Sequence, residues 1–128
     1  MKKVKSLKLE VKKALAKVKG TKVTHKNFYE EGGRFKRFFN EQLENELAER
    51  SVKCKAGRLE LSAMLYKGKL ATSVFTHPKE TPFETEVFLA YYKSFDEAVT
   101  ALKVVEKEYK NKKTWCEWLY EEGEKSES

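Results

Sequence analysis

Long apolar runs and cysteines are the features that this 128-residue sequence most lacks. No apolar stretch reaches the length of a signal-peptide core or a membrane span, and lysines interrupt the first residues, where a leader would begin. Only Cys54 and Cys116 occur, whereas small secreted scaffolds carry more cysteines at closer spacing. We therefore expect a cytoplasmic protein without an export signal or membrane span and with two reduced thiols. A single long-range disulfide is the alternative.

Motifs for catalysis and for metal binding are also missing. The sequence has no Gly-x-Ser-x-Gly or Ser-x-x-Lys motif and no phosphate-binding loop, and its cysteines and histidines are too widely spaced for a structural zinc site. His25 and His77 are the candidates for an acid–base pair of the kind that a small metal-independent nuclease would use. Each lies beside a turn in a lysine-bearing loop, however, where a solvated imidazole is ordinary. We therefore expect no catalytic residue, metal or cofactor.

Arginine is absent from the first 26 residues. This segment contains ten lysines and a single acidic residue, Glu10. The local charge is +9, whereas the other 102 residues sum to −2. Such asymmetry is typical of an interaction arm. The candidate nucleic-acid-binding residues are Lys2, Lys3, Lys5, Lys8, Lys12, Lys13, Lys17, Lys19, Lys22 and Lys26.

This set of lysines is the strongest functional signal in the sequence. Affinity for nucleic acid comes largely from neutralising phosphates, which requires clustered cations. The lysine ammonium group lacks the bidentate fork of arginine, so such contacts would not read bases. The expected partner is therefore nucleic acid or a nucleoprotein, bound without sequence preference. A purely solubilising surface and docking to an acidic protein are the alternatives.

Apolar residues recur at helical spacing in two N-terminal segments. The first stripe consists of Val4, Leu7, Val11, Ala14 and Val18. It predicts an amphipathic helix that stops near Gly20, within a lysine-rich arm of residues 1–22 that we expect to be dispensable for the fold. The second stripe consists of Phe35, Phe38, Phe39, Leu43 and Leu47. It predicts a helix over residues 34–50.

Residues 58–92 alternate between apolar and polar side chains with the period of β-strands. Strands are predicted over residues 59–66, 70–77 and 83–92, with a tight turn at Lys67-Gly68 and room for a fourth strand at 52–55. Ser94-Phe95-Asp96-Glu97 then has the pattern of a capping box, which begins a C-terminal helix with Leu102 and Val105 in its apolar stripe.

These elements have the order α-α-β-β-β-α, without βαβ alternation. The predicted fold class is therefore α+β: a three- or four-stranded antiparallel meander with two N-terminal helices and one C-terminal helix. One α+β domain is expected over residues 23–121, followed by a disordered acidic tail at 122–128.

The two faces of the predicted sheet carry different side chains. Leu59, Leu61 and Leu65, with Val87 and Leu89, are assigned to the core face that packs on the C-terminal helix. The opposite face is predicted to hold an aromatic set of the kind on which single-strand binders stack bases. This candidate aromatic platform consists of Tyr66, Phe88 and Tyr92. Burial beneath the N-terminal helices, with the sheet between two helical layers, is the competing interpretation.

The leading hypothesis is a small non-enzymatic binding protein that engages nucleic acid or a nucleoprotein complex through its basic arm. Its short length, many Lys and Glu residues and dense aromatics resemble, in general type only, accessory proteins of phages and mobile elements. The alternative is therefore a protein that inhibits a host nucleic-acid-processing enzyme by protein–protein contact. The third hypothesis is the nuclease with His25 and His77.

Overall fold

A computed structural model of the chain describes residues 2–20, 22–24, 26, 28, 33–39, 47–67, 69–112 and 115, with side chains from Leu7 onward. Its helices are α1 (Lys2–Leu15), α2 (Gly33–Phe39) and α3 (Phe95–Lys110), and its strands are β1 (Leu47–Lys53), β2 (Gly57–Tyr66), β3 (Lys69–Pro78) and β4 (Thr85–Tyr92). Two helices precede one sheet and a third follows it. The predicted α+β class and element order are confirmed, and the sheet has the fourth strand.

The strands form one antiparallel meander in the order β1-β2-β3-β4. β2 and β3 are joined at Lys67, whose positive φ of 49° is typical of the tight hairpin turn that the sequence predicts. Every second residue of β2 from Leu59 to Leu65 is buried, because the period of two places these side chains on one face. Leu70 and Val74 of β3 lie in the same buried layer.

α3 covers the buried face of this sheet. Ser94 is its N-cap, with the Ser94 hydroxyl accepting the N–H of Glu97 at 3.1 Å. The Glu97 carboxylate reaches back to accept the N–H of Lys93 at 3.1 Å, one residue before the donor of an ideal capping box. The predicted stripe of this helix, which includes Leu102 and Val105, is buried.

α1 packs along α3. Leu7 and Val11 are buried in the same core cluster as α3 and the sheet, and Ala14 and Leu15 are partly buried. Leu7, Val11 and Ala14 belong to the predicted stripe, and the hydrophobic effect explains the burial of this part of it. α1 ends at Leu15, however, before the predicted end near Gly20. Because it contributes to the core, the structure argues against an arm that is dispensable for folding.

The predicted helix over residues 34–50 is wrong in its last part. α2 ends at Phe39, and β1 begins at Leu47 and pairs along its whole length with the edge of β2. Leu, Ala and Glu are good helix formers, but pairing with a neighbouring strand overrides such a propensity. Residues 40–46 lie outside the described part.

α2 closes the core beside β1. Phe35, Phe38 and Phe39 are buried, as their spacing predicts. Arg50 of β1 donates to the carbonyl oxygen of Phe38 at 2.8 Å and to the carboxylate of Glu106 at 3.1 Å. This guanidinium therefore joins β1 to both α2 and α3.

The inward face of β4 is the reverse of the predicted one. Leu89, assigned to the core, is 54% exposed, whereas Tyr92 is buried. Val87 is only partly buried and lies at a β-bulge, where the pairing of β3 with β4 shifts by one residue. Both alternating sets of β4 are apolar, so its pattern cannot select the buried face.

The acidic tail predicted at residues 122–128 lies outside the described residues. Trp115 is described: it is buried, and its indole N–H donates to the carbonyl oxygen of Tyr109 at 2.8 Å. No helix within the described residues is both long and apolar enough to cross a membrane.

Candidate functional site

The lysines of α1 face solvent because its apolar stripe faces α3. With Leu7 and Val11 buried, Lys8, Lys12 and Lys13 are exposed. The other exposed lysines of the predicted set are Lys17, Lys19, Lys22 and Lys26. Lys2, Lys3 and Lys5 lie within the first turns of α1, but their side chains are outside the description.

The exposed lysines of α1 are not neutralised by the described part of the chain. Within that part Lys8, Lys12 and Lys13 form no salt bridge, whereas Lys112 pairs with Glu108 at 2.9 Å. Glu10 is the single acidic residue of α1. The helix therefore presents a row of positive charges to which an anion could bind.

Four lysines from three separate segments of the chain surround an open cleft at one end of the sheet, which we name the lysine cleft. Its lysines are Lys22, Lys67, Lys69 and Lys93. The cleft has a volume of about 670 Å³. A backbone bridge between Lys22 and Ser94, and a hydrogen bond of 3.2 Å from the Val23 N–H to the Lys93 carbonyl, hold the segment after α1 against the junction of β4 and α3.

The lysine cleft also includes one carboxylate and the start of α3. Glu97 lines it, with its carboxylate already accepting the N–H of Lys93. The first turn of a helix carries partial positive charge, which adds to that of the ammonium groups. Four lysines against one glutamate make this cleft favourable for an anion.

Among the described residues no helix covers the other face of the sheet, which we name the open face. The strand register places Met64, Tyr66, Lys69, Ala71 and Tyr91 close together on it. Tyr66 is 56% exposed and Tyr91 is 62% exposed. The Lys67 ammonium nitrogen lies 5.2 Å from the centroid of the Tyr66 ring, within cation–π range. The aromatic end of the open face therefore adjoins the lysine cleft.

The predicted aromatic platform is divided between the two faces. Tyr66 lies on the open face, but Tyr92 is buried on the helical side and Phe88 is partly buried there. Burial, assisted by the Glu97 carboxylate, raises the pKa of Tyr92 well above its usual value, against a hydrogen bond with Thr72 that lowers it. The three aromatics therefore cannot form one platform. Within the described residues the sheet has one helical layer, not two.

The far end of the open face, near the β1–β2 turn, carries carboxylates. His77 Nε2 lies 3.4 Å from oxygens of both Glu60 and Glu84, although neither contact has hydrogen-bond geometry. Arg58 pairs with Glu60 at 3.3 Å. The open face is thus basic and aromatic at one end and mixed in charge at the other. His25 lies outside the described residues, so a His25–His77 pair stays a prediction.

Cys54 is a free thiol, and burial raises its pKa, with Glu106 adding to the effect and Lys110 opposing it. Cys116 lies outside the described residues. Within the described part of the chain, no three His, Cys, Asp or Glu side chains are grouped as metal ligands.

Sequence reasoning missed Lys67, Lys69, Lys93 and Tyr91 as site residues. They belong to separate segments whose local charge is unremarkable, and only the meander brings them to one end of the sheet. The available signal was their position: Lys67 and Lys69 flank a predicted tight turn, and Lys93 follows the strand that pairs beside it. In an antiparallel meander these strand ends meet.

Comparison of the chain with protein-family models, with curated proteins and with solved structures finds no match.

Proposed function

We propose that this protein is a non-enzymatic binding protein that engages nucleic acid, free or within a nucleoprotein, through the lysines of α1 and the segment after it. The orientation of α1 carries the proposal. Burial of Leu7 and Val11 against α3 turns Lys8, Lys12 and Lys13 toward solvent, where no described carboxylate pairs with them. A helix surface that serves only for solubility is expected to mix basic and acidic residues. The single acidic residue of α1 is Glu10.

The dimensions of α1 suit a polyanion. Its 14 residues extend about 21 Å at a rise of 1.5 Å per residue. Duplex DNA presents one phosphate charge for about every 1.7 Å of its axis, so α1 spans several phosphates. Binding would release condensed counterions, and lysines on a helix would contact phosphates without reading bases.

The test compares two triple variants with equal loss of charge. Lys8→Gln/Lys12→Gln/Lys13→Gln removes charges from α1, and glutamine keeps its helix propensity. Lys53→Gln/Lys55→Gln/Lys79→Gln removes three exposed lysines near the β1–β2 turn. For duplex DNA of random sequence, the α1 variant should flatten the slope of log K against log salt by about 0.9 for each lysine that contacts a phosphate. The control variant should change it little.

Two results would count against this function. Equal losses in both variants would mean that net charge alone causes the binding, with no role for α1 as a site. A partner recovered from cell extract that survives nuclease digestion would instead support docking of these lysines on an acidic protein surface.

A further inference from the structure

We propose that the aromatic end of the open face binds single-stranded nucleic acid, with bases stacked on Tyr66 and Tyr91 and the adjoining phosphates held at the lysine cleft. This inference rests on the proposed function and names the form of nucleic acid that a second surface would take.

The sheet register fixes the arrangement of the two rings. Tyr91 lies opposite Ala71, and Ala71 lies opposite Met64, so Tyr91 and Met64 are on one row across three strands. Tyr66 is two residues beyond Met64 on the same face. Strand spacing and rise place the Cα atoms of the two tyrosines about 12 Å apart. Each ring can therefore take a different base.

Exposure distinguishes these two side chains from the other aromatic residues described in the strands and the core, whereas Phe83, which is 74% exposed, lies before β4 and outside the sheet. Tyr66 and Tyr91 are more than half exposed, whereas Phe35, Phe39 and Tyr109 are almost fully buried in the core. An exposed ring on a strand presents a π surface on which any base can stack, because stacking requires no particular hydrogen-bonding edge. Ala71 and Lys69 of β3 lie between the two tyrosines in the register, and the exposed apolar side chain of Met64 extends the surface beside Tyr66 on β2.

The charges around the two tyrosines indicate which kind of ligand this surface would bind. Lys67 contacts the Tyr66 ring and also lines the lysine cleft, and Lys69 faces Tyr66 across the hairpin. The carboxylates of Glu60 and Glu84 lie at the opposite end of the sheet, around His77. Aromatic rings flanked by ammonium groups match a chain of bases linked by phosphates. An acidic protein segment would contact the ammonium groups without stacking on the rings. A purely apolar segment would cover the rings without pairing with the ammonium groups.

The strand must be single because its bases have to reach the rings. In a duplex the base faces are stacked inside the helix, and only their edges are accessible. The lysines of α1 make no such demand, since they contact only phosphates. The two surfaces therefore differ in what they should discriminate: α1 binds any nucleic acid, and the open face binds single strands.

The experiment measures affinity for a fluorescent thymine oligonucleotide and for a duplex of the same length, at fixed salt. Tyr66→Ala and Tyr91→Ala should each weaken single-strand binding roughly five- to 150-fold, the equivalent of one stacked base, and leave duplex binding nearly unchanged. Tyr91→Phe keeps the ring and should retain affinity. Leu89→Ala is the matched control, because Leu89 is exposed on the same face without an aromatic ring. Unchanged thermal melts would show that every variant is folded.

The outcomes separate this inference from the proposed function. Duplex binding that persists while Tyr66→Ala and Tyr91→Ala leave single-strand affinity unchanged would overturn the role of the open face and leave α1 as the site. Absence of binding to either probe at low salt would overturn both. A nuclease-resistant protein partner that is lost in the tyrosine variants would identify the open face as a protein-docking surface, and it would also overturn the inference.

Discussion

The Cα atom of Gly20 lies against the side chain of Ser94, so a methyl group added at residue 20 would overlap the Ser94 hydroxyl and crowd Asp96. The same hydroxyl caps α3 by accepting the N–H of Glu97. The end of the lysine-rich segment and the start of the main helix are therefore packed as one unit.

Gly20→Ala should destabilise the fold by about 1–3 kcal/mol, because the added methyl group displaces the N-cap of α3. A glycine in an open loop would behave in the opposite way, since alanine there stabilises by about 0.4–1 kcal/mol through the unfolded state. Denaturant melts of Gly20→Ala, Ser94→Ala and the double variant measure the effect. The double variant should lose less stability than the sum of the two single variants. A neutral or stabilising Gly20→Ala would show that the segment is not packed on Ser94.

α1 should contribute to stability through its buried face alone. Leu7→Ala is expected to cost about 2 kcal/mol, because it removes a buried side chain from the core. Leu9→Ala changes the same residue type on the exposed side of the helix, where Leu9 is 50% exposed, and should stay within about 0.5 kcal/mol. Equal effects in urea unfolding would mean that α1 is not docked on α3.

Three further leucine-to-alanine variants test which face of β4 is turned toward the core. Leu61→Ala should cost about 2–5 kcal/mol because Leu61 is fully buried, and Leu102→Ala should behave similarly. Leu89→Ala should be nearly neutral, since Leu89 lies on the open face. A large loss of stability in Leu89→Ala would restore the core assignment that simple alternation predicts.

Alkaline pH should destabilise the fold through Tyr92. Burial raises the pKa of Tyr92, so the folded protein holds this proton more tightly than the unfolded chain does. The stabilising contribution is complete below the ordinary tyrosine pKa of about 10, and it is lost as the pH rises from there toward the folded pKa. Tyr92→Phe should therefore lose less stability above pH of about 10 than the wild type, in urea melts across that range. Tyr91→Phe, at an exposed neighbouring position, should follow the wild type.

The local patterns that predicted structure well are those in which chemistry and packing agree. Ser94 and Glu97 cap α3 nearly as predicted, and Leu59 to Leu65 alternate as a half-buried strand must. β1 could not be predicted in full because its helix-forming residues become a strand only when the edge of β2 is present. The face of β4 could not be predicted because both of its alternating sets are apolar.

The candidate site was predictable only where its residues are close in sequence. The charge of the first 26 residues identifies the lysines of α1, although the docking of Leu7 and Val11 required the structure. The lysine cleft joins residues from three separate regions of the chain, so no local window contains it. The sequence predicted Tyr92 in the aromatic platform, but Tyr91 lies on the open face in its place, because the inward face of β4 is the reverse of the predicted one.

The affinity of the full chain for duplex DNA as a function of salt concentration tests the central claim most directly. If four to six lysines reach phosphates, log K should fall against log salt with a slope of about −4 to −5, and scrambling the DNA sequence should change the affinity little. No measurable binding at low salt would contradict the claim and would leave the lysines of α1 as a solubilising surface.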